Sequence, residues 1–258
     1  MLANHMPLLS NQSSRFLGRR SGNGLKNGLL AYWPLSESSD GTQLVNRAEL
    51  VGGYTATDNN NVPSAAGKIT TNAAHFARAD SPARYFTIAA NSTFDMSGKK
   101  SFTVAAWVKL DTQEANSPRY SYIISNHAGG GAGSGWMFFM SSDTIVLQLS
   151  PGDGTTSVCH AGAYTYGTWA LVFGWYDPIA GKNCGQVYPQ TPGRVDDTKG
   201  AGVSESPIIT IGCQSKSVGY RPWDGEIGPI MLWNRVLSDA NKTALYNNGA
   251  GLVYADFS

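Results

Sequence analysis

The chain has 258 residues, 41% of them hydrophobic and 14% charged, and a formal net charge of +1. A chain of this length buries a sizeable core and often folds as one large all-β domain; its charge is far below the roughly 25% of charged residues usual in soluble domains, so the surface is mainly Ser, Thr, Asn, Gln and Gly. The near-balanced charge argues against nucleic acid as a partner, and no run approaches the roughly 20 apolar residues of a membrane-spanning helix, so no membrane insertion is expected.

Residues 1–26, MLANHMPLLSNQSSRFLGRRSGNGLK, follow neither the helical nor the strand period and end in a Gly/Asn-rich hinge. They read as an N-terminal arm. Arg15, Arg19, Arg20 and Lys26 precede the first acidic residue, Glu37, so the net +1 leaves the remainder at −3. Arg15, Arg19 and Arg20 with Phe16 make one apolar plug among charge-assisted donors, an anchoring set for a larger assembly. The arm lacks the roughly 7–15 apolar residues of a secretory signal, which leads us to expect synthesis in the cytoplasm.

Residues 27–258 form the second unit, in which short apolar segments alternate with turn clusters rich in the chain's 30 glycines. The alternation predicts strands at 85–89, 122–125, 136–140, 144–149, 208–212 and 226–233. SFTVAAWVKL places Phe102, Val104, Ala106 and Val108 on one face and Ala105 and Trp107 on the other. WALVFGWY sets Trp169, Leu171, Phe173 and Trp175 against Ala170, Val172 and Tyr176, so both strands are expected to be central and covered on both faces. The clusters SPGDGTT, DPIAGKNCG and QTPGR read as turns. Pro229, which cannot donate to a ladder, belongs at an edge or a bulge. Ser238 is a candidate N-cap for a two-turn helix at 240–247, with Gly249 as its left-handed stop. Many strands and a single helix predict an all-β, two-sheet antiparallel jelly-roll sandwich with a short C-terminal helix.

Cys159, Cys184 and Cys213 show no CxxC spacing. Three free thiols in a reducing compartment, or one disulfide with one thiol left over, both satisfy the count.

Five ordered segments carry a resemblance: GLLAYWPLSESSDG, RYFTIAANSTFDMSGKKSFTVAAWVKL, GTWALVFGWYDPIAGK, ITIG and DGEIGPIMLWNRVLSDANKTALYNNG. Together the chain resembles the laminin-G-like branch of the concanavalin A-like lectin/glucanase superfamily across roughly residues 28–250. The resemblance implies a jelly roll and a module for binding glycans or proteins, in some members with calcium. Calcium is therefore the one cofactor to consider. The chain departs from the pattern at Gly228, followed by Pro229, where members commonly carry an acidic residue, and in the long stretch 183–207. No metal site is assigned.

The glucanase members place carboxylates on alternate positions of one strand, and retaining hydrolysis needs two of them about 5 Å apart. Glu37, Glu49, Glu114, Glu205 and Glu226 form no such motif, and the nearest pair is Asp224 with Glu226. His5, His75, His127 and His160 show no HExxH spacing, and neither a Gly-x-Ser-x-Gly elbow nor a phosphate loop occurs. The chain is accordingly expected to be non-catalytic, with no catalytic residues. Asp80, Asp143, Asp153 and Asp224 could offer oxygen to calcium, but without EF-hand spacing. Glycan sites pair aromatic faces with hydrogen-bonding groups, and Tyr120, Tyr122, Trp136, Tyr220 and Trp223 are the candidate contacts, with Tyr164 and Tyr166 also beside predicted loops.

These features point to a bacteriophage virion component, a decoration, collar, fibre or tail protein, whose partners are other virion proteins held through the arm and a host-surface glycan. It is expected to be oligomeric or assembly-bound. The alternatives are a purely structural decoration or cement protein without glycan binding, and a divergent glycoside hydrolase.

Overall fold

Two strands buried on both faces set the architecture. In a computed structural model that describes residues 24–38, 46–47, 53–112, 120–127, 133–202, 208–215 and 220–258, the alternation of FTVAAWVKL and ALVFGWYD divides two hydrophobic layers. Phe102, Val104, Ala106, Val108, Val172 and Tyr176 face the space between two sheets, whereas Ala105, Trp107, Leu171, Phe173 and Trp175 face a second layer on the far side of one sheet.

Among the described residues the strands are β1 (Leu29–Trp33), β2 (Asn46–Arg47), β3 (Ala56–Asn59), β4 (Ser64–Ala66), β5 (Asn72–Phe76), β6 (Tyr85–Ile88), β7 (Phe102–Leu110) and β8 (Tyr120–His127). They continue as β9 (Ser134–Ser141), β10 (Thr144–Pro151), β11 (Ser157–Ala163), β12 (Ala170–Asp177), β13 (Lys182–Val187), β14 (Gly193–Asp196), β15 (Ile209–Ile211) and β16 (Gly225–Trp233). One sheet runs β14-β13-β12-β7-β16-β5-β4, with β1 also paired to β16; the other runs β11-β10-β9-β8-β15-β6-β3-β2. This is an all-β antiparallel sandwich consistent with a jelly roll.

Chemistry explains the irregularity in β16. Its pairing with β7 shifts register between Ile227 and Ile230, where Gly228 and Pro229 stand. Pro229 lacks the donor a ladder needs. At the same place the other neighbour changes: Gly225–Ile227 pair with β5, and Ile230–Trp233 pair with β1.

The stretch 183–207 is long and irregular in sequence, yet its described residues contain most of β13 and all of β14. Asn183 and Gly185 disguise β13 because neither favours strands. Asn183 is fully buried, and its amide donates to Leu147 O at 2.9 Å and Ser157 O at 3.1 Å, tying the two sheets together. A Cβ at Gly185 would lie 3.3 Å from Ala161 Cβ. The sheets therefore meet closely there, and a side chain at this position would require Ala161 to give way by a few tenths of an ångström.

The second layer is roofed by helix α1 (Asp239–Tyr246) and the C-terminal segment, which bring Leu245 and Phe257 onto Trp175, Met231 and Trp233. Ser238 caps α1 as expected, accepting from Asn241 N–H while the Asn241 side chain accepts from Ser238 N–H. The left-handed stop is Asn247, at φ 46° and ψ 53°, two residues before the expected Gly249; Asn tolerates that conformation through its short polar side chain. Leu25, assigned from sequence to the arm, is buried in this layer, and its carbonyl accepts Trp233 Nε1–H at 2.7 Å. Arg15, Phe16, Arg19 and Arg20 lie outside the described residues.

Candidate functional site

Between β15 and β16, the described residues 212–215 and 220–224 are tied to β8 and to one another. Ser215 is buried over β8, where its hydroxyl accepts His127 N–H at 2.8 Å and donates to His127 O at 3.0 Å. Its N–H donates to Ser125 Oγ at 2.8 Å. Gln214 N–H donates to Tyr220 O at 3.0 Å, and Trp223 N–H returns to Gly212 O at 2.8 Å. Small hydroxyl residues at Ser125, Thr210 and Ser215 suit this role because each bonds backbone or a neighbouring hydroxyl in little space.

The pinned segment presents Tyr220 and Arg221. Tyr220 is 54% exposed. The Arg221 guanidinium lies 4.4 Å from the Tyr120 ring centroid and 4.9 Å from that of Tyr220. Burial raises the hydroxyl pKa of Tyr122, and the neighbouring Arg221 guanidinium only partly offsets that rise. Tyr122 stacks on Phe139 at 4.9 Å, and Tyr120 meets the same ring edge-on at 5.6 Å. The result is a half-exposed aromatic surface around one planar cation, with the remaining guanidinium donors as its polar element. Arg221 adopts φ 54°, a left-handed conformation that costs a non-Gly residue roughly 1–2 kcal/mol. Such outliers concentrate at ligand sites.

Three of the five candidate aromatics thus gather here: Tyr120, Tyr122 and Tyr220. Trp136 and Trp223 do not. Trp136 is 1% exposed and packs on Phe102 inside the sandwich at 5.7 Å, and Trp223 is fully buried with its Nε1–H donated to Lys109 O at 3.1 Å. Large rings near a strand end fill the interior here, and neither can meet a surface ligand. Tyr164 likewise serves the scaffold, accepting Leu110 N–H at 2.8 Å and donating to Thr168 O at 2.6 Å, and Tyr166 donates to Ser142 O at 2.7 Å. Arg221 was missed in the sequence, where its only signal is its place in Tyr220-Arg221-Pro222.

The carboxylates suspected of catalysis are engaged elsewhere. Asp224 accepts Arg78 N–H at 3.0 Å and the Thr112 hydroxyl at 2.5 Å. Glu226, buried, accepts from Lys109 Nζ at 3.1 Å and lies 3.3 Å from His75 Nδ1. Burial pushes the Glu226 carboxyl up, but its bonds to His75 and Lys109 prevail and hold it below the usual value. A general acid requires the opposite shift.

His75, Asp111 and Glu226 are the one group of three potential metal ligands among the described residues, with donor atoms within 4.8 Å of one another. Calcium does not fit them as they stand. Lys109 Nζ lies 3.0 Å from Asp111 and 3.1 Å from Glu226, so an ammonium already bridges the two carboxylates and would repel a second cation. Asp80, Asp143 and Asp153 are dispersed, with Asp80 paired to Arg84, Asp143 bonded to Tyr166 and Asp153 paired to Lys199.

The fold is shared with known proteins. The binding domain of botulinum neurotoxin DC, solved in complex with SialylT, aligns with a TM-score of 0.63 and 15% identity over 86% of this chain and 52% of that one. The botulinum neurotoxin serotype C1 binding domain gives 0.62 and 14% over the same shares, and another receptor binding domain gives 0.65 and 15% over 88% and 52%. The chain thus spans about half the length of the structures it matches, and at this identity the likeness is one of fold. No curated protein sequence matches the chain. The sequence pattern of the Laminin G-type family described as the concanavalin A-like lectin/glucanases superfamily covers residues 80–241, and the chain belongs to that superfamily.

Proposed function

We propose that the protein is a non-catalytic, glycan-binding virion component, in which the sandwich displays the Tyr120–Tyr220–Arg221 surface outward and the N-terminal arm attaches it to other virion proteins. The observation that carries the binding reading is the exposed Tyr220 ring beside a guanidinium held between two tyrosines. Sugars offer apolar C–H faces to such rings and hydroxyl or carboxylate oxygens to the Arg donors. The fold likeness supports it by analogy: one matched study concerns botulinum neurotoxin type C, whose cell entry depends on interaction with two ganglioside molecules. The lowered pKa of Glu226 and its ion pair with Lys109 support a non-catalytic role.

The virion role rests on the composition of the arm, with Arg15, Arg19 and Arg20 around Phe16. Because Leu25 belongs to the packed body, the informative deletion is residues 1–23. That deletion is expected to abolish incorporation into particles while leaving the sandwich folded, and normal incorporation contradicts the anchoring role. Binding of the full chain to a glycan panel and to whole bacterial cells, with calcium and with a chelator, tests the display role. Binding that persists in chelator is expected. Uniform failure by the folded protein favours a purely structural decoration protein.

A further inference from the structure

The sandwich has two ends, and the Tyr220 surface occupies only one. Trp223, close to that surface, bonds Lys109 O near the C-terminal end of β7, whereas Tyr176, next to the β12–β13 turn, pairs with Phe102 at the start of the same strand. β7 has nine residues, so at about 3.4 Å per residue the two ends stand on the order of 27 Å apart. The far end carries Ile179, which is 99% exposed, more than any other large hydrophobic among the described residues.

The turn that presents Ile179 is held in one shape. Asp177 Oδ1 accepts both Ile179 N–H and Ala180 N–H at 3.0 Å, Pro178 fixes its own φ, and Gly181, at φ 60°, supplies the left-handed residue that returns the chain to β13. No backbone requirement of the turn calls for isoleucine at its tip. A large apolar side chain is thus kept in water on a preorganised support, and burying it against another surface is favourable.

A recess of matching chemistry lies beside the turn. Asp197 N–H donates to Gly181 O at 2.8 Å, and Asp196 stands opposite Lys182 in the β13–β14 pair. Next to them opens a cavity of about 410 Å³, lined by Pro151, Val158 and Val195 and bordered by Thr155 and Thr156. The three apolar residues are half-buried and the two threonines exposed, so the recess is open to an incoming side chain. Charge is complementary as well. Asp196 lines the recess and is 86% exposed despite its bond to Lys182. On the other flank of the turn, Lys99 lines a groove together with Pro178, is exposed, and makes no ion pair among the described residues. An apolar plug and an apolar recess on one surface, each beside a charge of opposite sign, are the elements that a twofold axis pairs reciprocally. A flat lipid surface would meet the plug and leave the recess unfilled.

We infer that this end of the sandwich is a twofold interface between two copies of the chain, in which Ile179 of each copy seats among Pro151, Val158 and Val195 of the other and Lys99 faces Asp196 across the contact. The pairing leaves both Tyr220 surfaces at the free ends and does not depend on what they bind. Sedimentation velocity on the full chain over a concentration series tests it. The unaltered protein should show a monomer–dimer equilibrium. Ile179→Asp, at a fully exposed position, and Thr156→Arg, which projects into the recess, should each weaken dimerisation at least about tenfold without unfolding the protein. Each variant keeps the half of the contact that the other lacks, and in a mixed pair the introduced carboxylate meets the introduced guanidinium. An equal mixture of the two should therefore form more dimer than either variant alone. A parent that stays monomeric, association that Ile179→Asp retains in full, or a mixture with no recovery overturns the interface. So does a monomer that binds phosphatidylserine vesicles through Ile179, which would give the plug to a lipid surface.

Discussion

The guanidinium of Arg221 lies 4.4 Å from the ring centroid of Tyr120, on a backbone held at φ 54°. The stack and the strained backbone oppose each other in stability. Arg221→Gly relieves the left-handed strain but removes a cation–π contact, each worth on the order of 1 kcal/mol. Stability is expected to change by less than about 1 kcal/mol in urea unfolding, with glycan binding lost. Arg221→Ala keeps the strain and loses the stack, so it should be the less stable of the two variants.

The five candidate aromatics divide into scaffold and surface, and substitution separates them. Trp136→Ala and Trp223→Ala each empty a buried site and should cost about 3–5 kcal/mol. Tyr220→Ala removes an exposed ring and should fall within about 0.5 kcal/mol of the parent. Comparable losses for Tyr220 and Trp223 in denaturant unfolding contradict this assignment.

The His75–Glu226 pair makes stability depend on pH in two windows. Chiefly through its bond to Glu226, His75 titrates above its ordinary 6.5 when folded, so its contribution is complete below pH 6.5 and disappears as pH rises through the folded value. Glu226 is shifted below its ordinary 4.5, so its contribution is present above 4.5 and disappears as pH falls through the folded value. Replacing His75 with Gln should therefore lower the melting temperature near pH 5.5 more than near pH 8.5. An equal loss at both pH values refutes the charged pair.

All three cysteines are free and buried. Burial pushes the Cys159 thiol up to about 11 and the Cys184 thiol up to about 12, so neither supplies thiolate at neutral pH. An aromatic disulfide reagent should titrate none of them in the native protein and all three after denaturation without reductant. Fewer than three in the denatured chain indicates a disulfide.

Much of the fold is legible in sequence because a strand declares itself by alternation. The two faces of 102–108 and of 169–176 separate in the structure as their pattern requires. β13 escapes notice because Asn183 is placed there to bond across the sheets, a tertiary demand that overrides strand preference. The site is less legible. Proximity to a loop cannot tell Tyr220, lifted on a pinned segment, from Trp223, which is the pin. Arg221 and Lys109 gain their meaning only from partners far along the chain.

Glycan display by the Tyr220–Arg221 surface is the central claim. The most direct measurement compares full-length protein with Tyr220→Ala and Arg221→Gly on one glycan panel, after all three are shown to be folded. The account predicts a defined set of glycans bound by the parent and lost or weakened at least about tenfold in both variants. Unchanged binding by both variants, or no binding by the parent, would contradict it.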